Sequence, residues 1–155
     1  MKKILLALGL AIAVTMPAQA REVTFTTELQ NYSGDGAYVA LYLTDASQKY
    51  MGTLWIAGKK SKYYKHLRGW ARGSRLDRAE YDGLTGASIT SGRTLKITLN
   101  LDDSLIDTGY EVRVDSAVED MRDIRADVVS PLTTEGSGKP VSGRGYVRSL
   151  TYDLQ

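Results

Sequence analysis

The sequence predicts an all-β protein: an immunoglobulin-like antiparallel β-sandwich with one short inserted helix near residues 61–72. Three observations carry that expectation. Most apolar residues recur with period two, the spacing that buries one face of a strand and wets the other. The alternating runs are separated by glycine-rich turns such as NYSGDG, LIDTG and EGSGKPVSG, whose residues favour chain reversal. No βαβ alternation, internal repeat or heptad competes, so two stacked sheets are the architecture that buries these faces.

The elements follow in order. EVTFTTEL (22–29) places Val23, Phe25 and Thr27 on one face. AYVALYLTD (37–45) and GTLWIAG (52–58) are rich in β-branched and aromatic residues, which suit a pleated surface. SKYYKHLRGWAR (61–72) breaks the alternation: Tyr63, Leu67 and Trp70 stand at i, i+4 and i+7, one helical face. About three turns are expected there, weakened by Gly69 and closed by Gly73 at C′. RTLKITLNLD (93–102) aligns Leu95, Ile97, Leu99 and Leu101, and YEVRVDSAV (110–118) alternates Tyr110, Val112 and Val114 with charges. IRADVVSPL (124–132) and GYVRSLTYDLQ (145–155) complete about seven or eight strands. Segment 134–145 is poor in apolar residues and is expected to be an exposed, mobile loop.

The first 20 residues, MKKILLALGLAIAVTMPAQA, read as a secretory signal peptide cleaved after Ala20. Lys2 and Lys3 give the positive start, Ile4 to Val14 the apolar run, and Ala18-Gln19-Ala20 the small-residue site. The apolar run is shorter than a spanning helix needs, and no cysteine follows for lipid attachment. The expectation is therefore one periplasmic β-sandwich domain over residues 21–155, with no span in the mature chain. Removing Lys2 and Lys3 from the 20 basic residues leaves 18, against 18 acidic ones. A mature chain with no net charge gives no general pull toward polyanions.

Composition narrows the chemistry further. The chain has no cysteine and one histidine, His66. That excludes thiolate metal sites, iron–sulfur clusters, attached haem and a cysteine nucleophile. A hydrolase would have His66 as its sole imidazole base. Only Met51 and Met121 remain after the leader, a poor basis for a methionine copper site.

Three charged features compete as sites. Lys59, Lys60, Lys62, Lys65, Arg68, Arg72, Arg75 and Arg78 fall within 20 residues, interleaved with Tyr63, Tyr64 and Trp70. An exported chain rarely meets nucleic acid, so no nucleic-acid partner is expected. A solvated helix face with inward aromatics accounts for the stretch; an anion site for phosphate, a cofactor or an acidic partner is the functional alternative. His66 reads as a surface or packing residue. Asp115, Glu119, Asp120 and Asp123 lack the spacing of a calcium loop and read as a salt-bridged strand end or loop.

The remaining stretch is YDGLTGASITSG, from Tyr81 to Gly92. Within it Asp82-Gly83-Leu84-Thr85-Gly86-Ala87-Ser88 fits D-x-x-[ST]-G-A-[ST]. This resembles the motif recognised by ApbE-type flavin transferases, which move FMN from FAD onto the final hydroxyl. The resemblance implies covalent FMN on Ser88, with Asp82, Thr85, Gly86 and Ala87 as the recognition residues. The acceptor must be an alcohol, because it attacks phosphorus, and small residues let the chain approach another enzyme's site. Serine stands where threonine is commoner in the motif. The same residues are also good turn formers.

A wider resemblance spans most of residues 37–120. The order YVALYLTD, MGTLWIAG, KYYKHLRGWAR, DGLTGAS, SGRTLKITLNLDD, TGYEVRVDSAVED is similar to a family of predicted periplasmic proteins of unknown function. In that family Trp55-Ile56, Leu67 with Trp70, and Thr85 to Ser88 recur together. Its members resemble β-sandwiches encoded near flavin transferases and PepSY-type membrane proteins, in settings linked to iron uptake or reduction. The resemblance implies an extracytoplasmic electron carrier with no catalysis of its own, modified by a flavin transferase and served by a membrane or periplasmic redox partner. Its flavin ring is expected against Tyr81, Trp70 or Tyr64, with Arg75 or Arg78 near the phosphate. The alternative class is a non-redox binding module using the basic helix as its contact surface.

Overall fold

The computed structural model describes residues 19–155. The signal-peptide assignment therefore lies outside the described residues, apart from Gln19 and Ala20. Among the described residues nine strands form two sheets: β1 (Ala20–Leu29), β2 (Tyr38–Thr44), β3 (Tyr50–Ala57), β4 (Thr85–Gly86), β5 (Thr94–Asp102), β6 (Glu111–Ala117), β7 (Ile124–Pro131), β8 (Val141–Ser142) and β9 (Val147–Leu154). One sheet has the order β5-β1-β9-β8, the other β4-β3-β2-β6-β7. Every pairing is antiparallel except the short parallel one between β3 and β4. The seven long strands lie where the alternation placed them; β4 and β8, two residues each, are too short to leave a periodic signal.

The main core fills the space between the sheets. Val23 and Phe25 of β1, Val39 and Leu41 of β2, Val112 and Val114 of β6, and Leu150 and Tyr152 of β9 are all buried there. In the first sheet Phe25 faces Ile97 on one side and Tyr152 on the other. The alternation is clean in β1 and β5 because their outer faces meet solvent.

β2 behaves differently, being buried at six consecutive positions. The reason is a third layer. Ala40, Tyr42, Ile56 and Ala117 on the outer face of the five-stranded sheet are covered by Tyr64, Leu67 and Trp70. A sheet covered on both faces needs apolar residues at successive positions.

That covering segment corrects the expected continuous helix. A 3-10 helix, Ser61–His66, is followed by a separate helix α1, Arg68–Ser74. Leu67 breaks them apart at φ −82°, ψ 71°. Gly73 does not close the helix at C′. α1 runs through Gly73 and ends at Arg75 in the left-handed region. A Cβ on Gly69 would stand 2.5 Å from the Tyr42 hydroxyl, and one on Gly73 2.4 Å from Tyr50 Cβ. Both glycines let the helix lie directly on the sheet.

Segment 134–145 has no buried residue, in keeping with an exposed loop, but it is not free of strand structure. It contains β8 and is tied to β9 by Gly138 N–H donating to Tyr152 O at 2.8 Å and Leu154 N–H donating to Ser137 Oγ at 2.9 Å. Backbone pairing, which needs no apolar side chains, holds it. No helix of the described residues is long and apolar enough to cross a membrane.

Candidate functional site

The segment from Asp77 to Ile89 is built by turns and then pinned. Asp77 Oδ1 accepts from Ala79 N–H at 3.0 Å, starting a 3-10 turn at Arg78–Glu80. Asp82 N–H donates to Arg78 O, and Leu84 N–H to Tyr81 O, each at 2.9 Å. Gly83 at φ 78° completes the reversal, a conformation that favours glycine. The chain then runs beside β3: Ile56 N–H donates to Leu84 O and Gly58 N–H to Gly86 O, each at 2.8 Å. Ile89 is buried and exchanges both backbone hydrogen bonds with Ala37, at 2.7 and 2.9 Å.

Ala87 and Ser88 lie between these two anchors, exposed and outside any strand. They belong to the crossover that carries the chain from β4 in one sheet to β5 in the other. The Ser88 side chain faces Gly36, where an added Cβ would stand 2.8 Å from Ser88 Oγ.

Beside this crossover is a cleft of about 330 Å³ lined by Lys59, Ser61, Tyr64, Arg78, Tyr81, Asp82 and Thr85. Five of the residues expected from sequence around a flavin meet here: Tyr64, Arg78, Tyr81, Asp82 and Thr85. Lys59, 19 residues before Arg78, supplies a second cation. Two cations against one carboxylate give the cleft a positive balance suited to a phosphate.

Of the others expected from sequence, Trp70 and Arg75 do not line the cleft, and Tyr64 lines it while almost wholly buried. Trp70 is fully buried, its indole N–H donating to Thr53 Oγ1 at 2.8 Å, and has no face open to a ring. Tyr64 is 2% exposed and donates its hydroxyl to Gly58 O at 2.7 Å. Burial raises its phenol above the usual range. Both rings pack edge-on against Tyr81, at 5.2 Å from Tyr64 and 5.8 Å from Trp70. Trp70 is corrected from a stacking partner to support beneath Tyr81, which is half-buried, and Tyr64 supports the same ring from the wall of the cleft. Arg75 is exposed at the end of α1 and does not line the cleft. Gly86 packs on Trp55, where a Cβ would stand 2.9 Å from Cζ2 of the indole.

The charged features regroup. Asp115 is fully buried on β6 and accepts from Tyr42 Oη at 3.0 Å, Trp70 N–H at 2.8 Å and Ala126 N–H at 2.8 Å. It is a buried clamp joining β2, α1 and β7, which corrects its place in a salt-bridged loop. Burial, and then this carboxylate, push the Tyr42 phenol far up. Only Asp123 of that acidic stretch forms an ion pair among the described residues, with Arg68 Nε at 2.8 Å, and His66 Nδ1 lies 3.3 Å from the same carboxylate. The basic stretch divides: Lys59 and Arg78 face the cleft beside the crossover, while Arg68 and Arg72 lie at another cleft. Sequence held one signal for Asp115. It shares a strand face with Arg113, and that face is solvent only if no helix covers it.

A family model described as "Predicted periplasmic protein (DUF2271)" matches residues 20–149. No curated protein and no solved structure matches the chain.

Proposed function

The chain belongs to the DUF2271 family of predicted periplasmic proteins, and from that premise we propose that it is a periplasmic electron carrier bearing FMN covalently on Ser88. The observation that carries this reading is the placement of D-x-x-[ST]-G-A-[ST]. Its terminal hydroxyl lies on an exposed crossover held at both ends, next to a cleft with two cations. A modified residue must be reachable by a second enzyme, and Ser88 is outside the ladders that would have to be broken.

In the modification, Ser88 Oγ forms a bond to the FMN phosphorus of FAD and the pyrophosphate P–O bond breaks. AMP leaves, and the hydroxyl proton passes to a base of the flavin transferase. When attached, the flavin supplies reversible one- and two-electron chemistry that this chain's side chains do not. Thr85 lies three residues before Ser88, a reach of roughly 10 Å along extended chain. On that spacing Lys59 and Arg78 would hold negative charge, Tyr81 would offer an aromatic edge, and Trp70 with Tyr64 would keep Tyr81 in place. A covalent link suits the compartment, since an exported protein that loses FMN has no ready supply of it. The redox partner would be a membrane protein of PepSY type or another periplasmic carrier.

The test is co-expression with a flavin transferase, followed by denaturation and intact mass. An FMN adduct that vanishes in Ser88→Ala supports the reading. Unmodified protein beside a labelled control substrate refutes it and leaves the binding-module class.

A further inference from the structure

A second cleft, of about 670 Å³, opens between α1 and the chain entering β7. It is lined by His66, Arg68, Arg72, Met121, Arg122, Asp123 and Arg125. Arg68 is matched by Asp123 at 2.8 Å. Arg72, Arg122 and Arg125 are exposed, and their guanidinium groups make no ion pair or hydrogen bond among the described residues. Arg72 and Arg125 continue into an adjoining cleft of about 180 Å³ with Arg113, Tyr42 and Tyr50. There Arg113 Nη2 is engaged by Glu111 Oε2 at 3.0 Å. The nearby Asp115 carboxylate is buried and occupied by its three hydrogen bonds. The surplus positive charge therefore belongs to Arg72, Arg122 and Arg125.

We propose that this arginine-lined surface docks an acidic face of a partner protein. Its three unmatched guanidinium groups come from separate places: α1, the chain before β7, and β7 itself. They are spread along one open groove, which suits several carboxylates on a partner better than one small anion. All five basic side chains lining the joined clefts, apart from His66, are arginines. The planar fork of arginine pairs with carboxylates through two hydrogen bonds and is more easily stripped of water than a lysine ammonium. The local surplus of these three guanidinium groups, beside the acidic Glu119 and Asp120 of the neighbouring cleft, can orient a partner during encounter. The proposal does not depend on flavin at Ser88.

The experiment uses the mature full-length chain and a fluorescent peptide of twelve glutamates, followed by anisotropy at rising salt. Saturable binding is expected at low ionic strength, weakening as salt screens it. The double variant Arg72→Glu/Arg125→Glu should bind at least tenfold more weakly, with an unchanged circular dichroism spectrum. Arg122→Gln should weaken binding by a smaller factor. Lys59→Glu/Arg78→Glu, at the other cleft, should stay within twofold of the parent. No peptide binding, or equal binding by the Arg72/Arg125 double variant, overturns the proposal. Full displacement of the peptide by millimolar succinate or inorganic phosphate at constant ionic strength overturns it in favour of a small-anion site. Stronger arginine-dependent binding to phosphatidylglycerol vesicles than to the peptide overturns it in favour of a lipid surface.

Discussion

The Ser88 hydroxyl lies against the bare backbone of Gly36, with no side chain between them. A methyl group on Gly36 would stand 2.8 Å from Ser88 Oγ and 3.3 Å from its Cβ. Gly36 thus keeps the candidate acceptor uncovered, although it is 52 positions away in sequence.

Gly36→Ala tests that relationship. Ser88 is exposed and can turn its hydroxyl aside, so stability should change by no more than about 0.5 kcal/mol. FMN incorporation should slow by roughly tenfold, because the nucleophile is displaced from its line of attack. A labelling time course beside a urea melt separates the two effects.

Gly86→Ala should behave in the opposite way. Its Cβ would press on a rigid indole at 2.9 Å, and overpacking of that kind costs about 1–3 kcal/mol. Lost labelling in this variant would report a damaged fold. Asp82→Asn and Thr85→Val are the cleaner probes of transferase recognition. Both residues are exposed, and each substitution should leave the urea midpoint nearly unchanged.

Asp115→Ala should be among the most damaging single changes. It strands the Tyr42 hydroxyl and the Trp70 and Ala126 amides without their acceptor. Such losses amount to about 3–5 kcal/mol. Asp115→Asn retains one acceptor oxygen and should cost less. Asp123→Ala removes a largely covered carboxylate whose partner Arg68 is exposed and can turn to water, and should cost less, about 1–2 kcal/mol. Chemical denaturation ranks the three.

Acid stability should depend in part on Asp107. Hydrogen bonds from the Thr134 hydroxyl, at 2.6 Å, and then its N–H, at 2.8 Å, hold the Asp107 carboxyl below its ordinary 3.8. A folded value below the unfolded one means that the unfolded chain takes up the proton first as pH falls. The contribution is thus fully present above about pH 4 and lost as pH drops through the folded value. Asp107→Asn should lower stability at neutral pH and flatten its fall below about pH 4. Urea melts from pH 2 to 7 on both proteins measure this. Asn tolerates the left-handed backbone at this position, φ 61°, so the comparison removes the titrating group and one acceptor oxygen without straining the turn.

The long strands were legible because burial on one face imposes a period of two, and β1 and β5 display it without interference. β2 was recognisable as a strand, but the reason for its unbroken apolar run was not. That reason is the helical layer, whose seat depends on Gly69 and Gly73 meeting Tyr42 and Tyr50 from other elements. The candidate attachment segment was visible as a local pattern. Its surroundings were not, because Lys59, Gly36 and Trp55 reach it through the fold. Arg68 and Arg72 were likewise grouped with their sequence neighbours, while their spatial neighbours Arg122 and Arg125 lie some 50 residues away.

The two residues of β4 bear on more than the geometry of Ser88. With Leu84 before them they occupy the outer side of β3, where Leu84 O and Gly86 O accept from the Ile56 and Gly58 N–H groups, which would otherwise have no strand beside them. An uncovered strand edge is a template for pairing with another molecule. Peeling Thr85 and Gly86 away to present Ser88 would expose a self-associating surface. Under the proposed modification a transferase would therefore take hold of Ala87 and Ser88 while the preceding pair stays zipped, and protection against aggregation would limit how far the segment could be drawn into a foreign active site.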